Sequence, residues 1–198
     1  MEDVERTYDA IMSILSPDPA GNSRLCLMQC TSGYPCSFDE MNLSVITTYR
    51  ECFPDTVIGL SAHDSGIAMG LVGYVLGARV IEKHFTLNRA MKGTDHAFSL
   101  ERPGLRKLVR DVRRARVAMG DGIKKPYASE AAALYKMGKK LVVAGDVPAG
   151  HVLLREDIAI KSPNDGLPPY QLASILGKTT LRALTEDEAV SLADLSDA

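Results

Sequence analysis

No stretch of this sequence is apolar for long enough to cross a bilayer. The longest candidate, around residues 67–76, is interrupted by glycines and falls short of the roughly 20 residues that a spanning helix needs. Strong charge of either sign is also missing: 23 Lys and Arg stand against 25 Asp and Glu, a formal net charge of −2. The chain as a whole is thus not a nucleic-acid binder working by bulk charge, and its net charge offers no attraction to an anionic membrane. The acidic start, Met1-Glu2-Asp3-Val4-Glu5, has no apolar core behind it, so no secretory signal is expected. The four cysteines, Cys26, Cys30, Cys36 and Cys52, contain no CxxC pair and no Cys/His spacing of a structural zinc site. We read them as reduced thiols of a cytoplasmic protein.

What the chain does have is a globular composition, 45% hydrophobic and 24% charged over 198 residues, enough for one ordinary domain or two small ones. Residues 4–15 place Val4, Tyr8, Ile11, Met12 and Leu15 at helical spacing, and Ser16-Pro17-Asp18-Pro19-Ala20-Gly21-Asn22 breaks the pattern. The run Leu25-Cys26-Leu27-Met28-Gln29-Cys30 has strand length without strict alternation, which predicts a parallel strand covered on both faces. The pattern recurs as a helix over 42–53, a strand over 57–60, a small-residue helix over 66–76 ending at Gly77, and a strand over 78–82. A long helix follows over 104–119, closed by Gly120-Asp121-Gly122. Its arginines and lysine, from Arg106 to Arg116, spread around the circumference without interleaved aromatics, which reads as a solvated outer helix and not a nucleic-acid surface. Strands alternating with helices predict right-handed β/α units and a parallel sheet. Three strands are few for such a sheet, so the expectation is the end portion of a larger α/β domain.

From Lys124 onward the texture changes. Residues 124–129 read as a linker and 130–140 as a helical lead-in. Short apolar pieces then alternate with turn residues: strands are expected at 141–144, 146–150, 152–154, 158–161 and 178–183, with short helices at 155–157 and 170–176. The expected division is residues 1–123, a linker over 124–138, and a small β-rich domain over 139–198.

Two histidines stand out by position. Ser61-Ala62-His63-Asp64 follows one strand and Glu82-Lys83-His84-Phe85 ends the next. The C-terminal ends of parallel strands hold the active sites of α/β folds. Strands lie about 4.8 Å apart, so two imidazoles there are within reach of one ion or one substrate oxygen. The alternative is that each histidine caps a strand or bonds a loop. Two imidazoles would leave an open coordination shell, the catalytic kind, and suit manganese, iron, zinc or magnesium. Thr31, Ser32 and Tyr34 offer hydroxyls at the end of the first strand, suited to phosphate or sugar, or form an ordinary turn. Asp95, in Lys92-Gly93-Thr94-Asp95-His96, reaches the same region or is a turn residue.

Cys30-Thr31-Ser32-Gly33-Tyr34-Pro35, Ile58-Gly59-Leu60-Ser61-Ala62-His63, the run from Gly77 to Leu87, and Lys92-Gly93-Thr94-Asp95-His96 resemble the sialic acid synthase family in order and spacing. Met119-Gly120-Asp121-Gly122-Ile123-Lys124-Lys125-Pro126 resembles its interdomain segment. Ala149-Gly150, Ile158-Ala159-Ile160-Lys161 and Ile175-Leu176-Gly177-Lys178 resemble its SAF, or antifreeze-like, domain. The resemblance implies an α/β fold: a partial TIM barrel, the last three β/α units, followed by the small SAF domain. It implies a C–C bond-forming transferase of sialic acid biosynthesis. That reaction condenses phosphoenolpyruvate with N-acetylmannosamine 6-phosphate, or N-acetylmannosamine, to N-acetylneuraminate 9-phosphate, or N-acetylneuraminate, and phosphate. It further implies a homodimer, and a divalent metal, Mn2+ or Mg2+, held by His63 and His84. Glu82 matches an active-site carboxylate, Ser32 and Ser61 positions near the phosphate of phosphoenolpyruvate, and Tyr34 and Asp95 positions facing the amino sugar.

Two departures bear on activity. The barrel strands that supply further phosphate-binding groups have no counterpart here, so a truncated, weakly active or inactive form is expected. Ser162 stands where bacterial members of the family carry an arginine that reaches the partner's sugar site, which fits an animal-type member or loss of that contact. Two other readings stay open: a non-catalytic binding or dimerising module acting through the SAF domain, and a metal-dependent sugar-phosphate lyase or aldolase.

Overall fold

The computed structural model describes residues 1–15 and 24–197. The break expected at 16–22 lies outside the described residues. Two compact units divide the chain, Met1–Gly122 and Ile123–Ala198.

In the first unit, α1 (Glu2–Met12) opens on Glu2, Asp3 and Glu5, which suit the positive end of the helix dipole. It lays Val4 and Tyr8 against the core, where the Tyr8 and Phe53 rings meet at 4.6 Å. Three strands, β1 (Cys26–Cys30), β2 (Val57–Ala62) and β3 (Val80–Lys83), pair in parallel in chain order. Between and after them come α2 (Val45–Cys52), α3 (Ala68–Leu76) and α4 (Arg102–Ala118). The helix expected from residue 42 starts later because Asn42 takes a left-handed φ of 41°, which stops helical geometry there. Gly77, at φ 117°, ends α3 as a left-handed cap.

Alternation along β2 sends Ile58, Leu60 and Ala62 to one face, all nearly closed to solvent. Ile46 and Tyr49 of α2 pack there. Two glycines bring α3 close: a Cβ on Gly73 would sit 2.6 Å from Leu60 Cδ2, and one on Gly70 would sit 3.0 Å from Leu108 Cδ1 of α4. Successive β/α units of one hand thus put their helices on one side. The other face, with Met28, Gly59 and Val80, has no helix over it among the described residues, and Val80 is 41% exposed. The expectation of cover on both faces of β1 is therefore corrected: one face is layered and the other open.

The second unit has its own core of Leu141, Val143, Leu153, Ile158, Ile175, Leu184 and Val190. The helical lead-in expected over 130–140 is α5 (Ala131–Met137), whose Tyr135 carbonyl accepts the Asn164 N–H at 2.8 Å. Antiparallel pairs form between β4 (Lys140–Val143) and β5 (Ile158–Lys161), and between β6 (Thr179–Thr180) and β7 (Leu195–Ser196). The strands expected at 146–150 and 152–154 reduce to single bridges, Val147↔Leu184 and Val152↔Thr179. Pro148 has no N–H for a ladder, and Gly150 turns the chain at φ 83°. Thr180 replaces ladder bonds locally, donating to the Pro148 carbonyl at 2.7 Å and accepting the His151 N–H at 3.1 Å.

Candidate active site

Register decides which side chains meet at the end of the parallel sheet. Cys30, Ser61 and Glu82 are cross-strand partners. Two residues further along each strand stand Ser32, His63 and His84, which extended geometry returns to the same, helix-free face. Ser61 Oγ donates to Glu82 Oε1 at 2.6 Å, the short distance of a charge-assisted bond. Ser61 is buried and Glu82 exposed, so the carboxylate is held from below and reachable from solvent.

His63 is only 5% exposed, and its Nδ1 lies 3.0 Å from the Thr31 carbonyl oxygen. A carbonyl can only accept, so Nδ1 carries the hydrogen of the neutral ring and Nε2 keeps its lone pair. Nδ1 of His84 lies 3.5 Å from Asp95 Oδ2. The two imidazole centroids are 5.2 Å apart at an interplanar angle of 73°. The Tyr34 ring stands 4.4 Å from that of His63 and 5.9 Å from that of His84. Buried Phe98 closes the far side, 5.0 Å from His84. The Cys36 N–H donates to the His63 carbonyl at 3.1 Å, which ties the Tyr34 loop to the end of β2.

Six of the residues singled out by sequence, Tyr34, Ser61, His63, Glu82, His84 and Asp95, therefore gather at one sheet end. Ser32 lies at that end on the exposed side, its hydroxyl 3.9 Å from Cys30 Sγ. Asp64 follows His63 in sequence, but its carboxylate pairs with Lys83. The sequence reading passed over Lys83. The signal was there: Lys83 registers with Ala62 on the apolar, helix-covered face, where an ammonium must find a partner. Cys30, whose Sγ is 4.0 Å from His63 Nδ1, and the wall residue Phe98 were also passed over.

Two imidazoles, each with Nδ1 turned to an oxygen, have the donor arrangement of ligands to a divalent ion with positions left open. No third His, Cys, Asp or Glu completes a cluster among the described residues. The residues present thus fit one side of an open site.

Comparison with known proteins identifies the setting of this constellation. The NeuB family matches residues 1–124, and the SAF domain matches residues 140–196. The chain belongs to the NeuB family. Among NeuB relatives, human N-acetylneuraminate-9-phosphate synthase is 38% identical over 170 residues, covering 85% of this chain and 47% of that protein. N,N'-diacetyllegionaminic acid synthase of Campylobacter jejuni is 36% identical over 179 residues, covering 90% of this chain and 53% of that protein. The crystal structure of a spore coat polysaccharide biosynthesis protein of Bacillus subtilis superposes with a TM-score of 0.54 at 26% identity, over all of this chain and 59% of that one. This NeuB chain spans about half the length of the curated relatives it matches. It combines a NeuB-type α/β unit with a SAF domain. No helix among the described residues is long and apolar enough to cross a membrane.

Proposed function

We propose that the first unit carries the metal- and carboxylate-bearing part of a sialic acid synthase active site, set on the last three β/α units of a TIM barrel. The observation that carries the reading is the cross-strand layer of Ser61, Glu82, His63 and His84, with a 2.6 Å Ser61–Glu82 bond beneath two imidazoles 5.2 Å apart. The one-sided helix layer also supports barrel-type units. In this reading the reaction condenses phosphoenolpyruvate with N-acetylmannosamine 6-phosphate, or N-acetylmannosamine, and releases phosphate. The legionaminic acid synthase among the relatives keeps a different amino sugar as a competing acceptor.

Each side chain has a part. His63 and His84 hold a divalent ion, Mn2+ or Mg2+, through their Nε2 atoms. That ion supplies a Lewis acid for the sugar carbonyl oxygen. Glu82, oriented by the Ser61 hydroxyl, holds or moves a proton at the reacting centre. Ser61 and Ser32 contact the phosphate of phosphoenolpyruvate, and Tyr34 and Asp95 face the amino sugar. Tyr34 and Phe98 exclude water from one side of the imidazole pair. The protein works in the cytoplasm as a homodimer. Ser162, whose hydroxyl accepts from Lys139 at 2.8 Å, stands in place of the arginine of bacterial members.

By themselves, the 198 residues bring three strand ends to the mouth, so negligible turnover is expected from them. Loss of positioned phosphate donors costs on the order of 10²–10³-fold each. The test supplies the complementary part of the human relative in trans, with phosphoenolpyruvate, either acceptor and Mn2+, and follows phosphate release. Release that is abolished by His63→Ala, His84→Ala and Glu82→Gln is expected. Release unaffected by those changes sinks the assignment. No release in any combination favours the non-catalytic module.

A further inference from the structure

Each histidine of the site is one peptide bond from half of a buried ion pair. Asp64 follows His63, and Lys83 precedes His84. The Lys83 ammonium donates to Asp64 twice, to the carboxylate Oδ1 at 2.7 Å and to the carbonyl oxygen at 2.5 Å. Both side chains are closed to water, at 4% and 1% exposure. Such a pair adds little net stability, because desolvating both charges offsets their attraction. What it adds is geometry. The β2–β3 ladder ends at Ala62↔Lys83, one residue short of both histidines. Thr31 orients His63 alone and Asp95 orients His84 alone. The ammonium, bonded to backbone and side chain of one residue, carries the strand register past the end of the ladder.

We infer that Asp64 and Lys83 are positioning residues that hold the His63 and His84 rings at their 5.2 Å separation, within reach of one divalent cation. The inference rests on the reading of the two histidines as the metal-holding pair. Neither Asp64 nor Lys83 touches the ion. They act through the backbone, on the face of the sheet opposite to substrate.

Mn2+ binding to the folded chain, followed by electron paramagnetic resonance, reads this without turnover. Asp64→Leu/Lys83→Met removes both charges and fills the space. Lys83→Arg keeps a donor. Ile46→Val lowers stability from the core of the same unit without touching the strand ends. The double variant is expected to lose about tenfold or more in Mn2+ affinity, the size of effect seen when a ligand's supporting partner is lost. It should melt near the unsubstituted chain, while Lys83→Arg and Ile46→Val keep Mn2+ affinity. Binding by the double variant within about threefold of the unsubstituted chain overturns the inference. If circular dichroism shows that variant unfolded, Asp64→Asn/Lys83→Met, which removes the bridging ammonium and leaves no unpaired charge, takes its place at the same threshold. His63→Ala and His84→Ala separate the two claims. Mn2+ binding that is absent from the unsubstituted chain, or that survives both changes, defeats the metal reading and this inference with it. Binding lost in both but kept in the double variant defeats only the positioning role.

Discussion

The Thr31 carbonyl oxygen lies 3.0 Å from Nδ1 of His63 and fixes which nitrogen of that ring carries the hydrogen. At a pH where His63 is neutral, long-range ¹H–¹⁵N spectra should show the Nδ1–H tautomer and an unprotonated Nε2. A dominant Nε2–H form contradicts this arrangement and takes away the lone pair that a metal needs.

The cysteines should differ in reactivity by place. Burial pushes the Cys36 thiol pKa up, with Glu40 and Asp64 adding to the shift, and burial also raises that of Cys26. Cys30 and Cys52 are exposed. With iodoacetamide near neutral pH, Cys30 and Cys52 should be labelled first and Cys36 about tenfold or more slowly, since the thiolate is the nucleophile. Equal rates at Cys36 and Cys52, read by mass spectrometry, contradict the packing around the Tyr34 loop.

Acid should weaken the second unit through Asp157. Its carboxylate accepts the Leu154 N–H at 2.7 Å and a bond from His151 Nε2 at 2.8 Å. The backbone bond first, and His151 second, hold its pKa below the usual carboxylate value. A folded-state pKa below the unfolded one contributes stability that is present above about pH 4 and is lost as pH falls through the folded value. Melting of this unit should therefore drop between about pH 5 and 2. Asp157→Asn should flatten that profile and cost about 1 kcal/mol at neutral pH. Parallel profiles for the two proteins rule out this role of Asp157.

Residues 139–198 should fold alone. The core from Leu141 to Leu195 lies wholly within that segment. A well-dispersed amide spectrum of the isolated segment is expected, and a narrow random-coil spectrum contradicts it. In the same unit, Leu153→Ala should cost about 2–5 kcal/mol, because Leu153 is fully buried.

The first unit was readable because its signals are local. Apolar runs of strand length, glycine stops such as Gly77 and the spacing of Ile46 and Tyr49 each sit within one element. The Asn42 turn was not, since a left-handed residue leaves no mark on periodicity. The second unit read less well because Val147 and Val152 make single bridges whose partners lie far along the chain. At the site, strand-end position found both histidines, and register explains why Ser61 and Glu82 join them. The bond of Asp64 to Lys83 escaped notice because adjacency in sequence suggested His63 as its neighbour, whereas pairing across strands decided the partner.

The strand order β1-β2-β3 also bears on how the chain folds as it is made. Cys26 pairs with Val57 and Gly59 with Val80, so each new strand lies beside the one synthesised just before it. Each closure then reaches back over one β/α unit only, and the first unit's sheet can grow strand by strand in the order of synthesis. The second unit cannot proceed in that way. Leu141 accepts the Val190 N–H, and Leu195 completes the core that Leu141 begins. The first strand of that unit must wait, unpaired on that side, until the residues around 190–195 arrive, so its closure is a late, single event while the parallel sheet assembles in instalments.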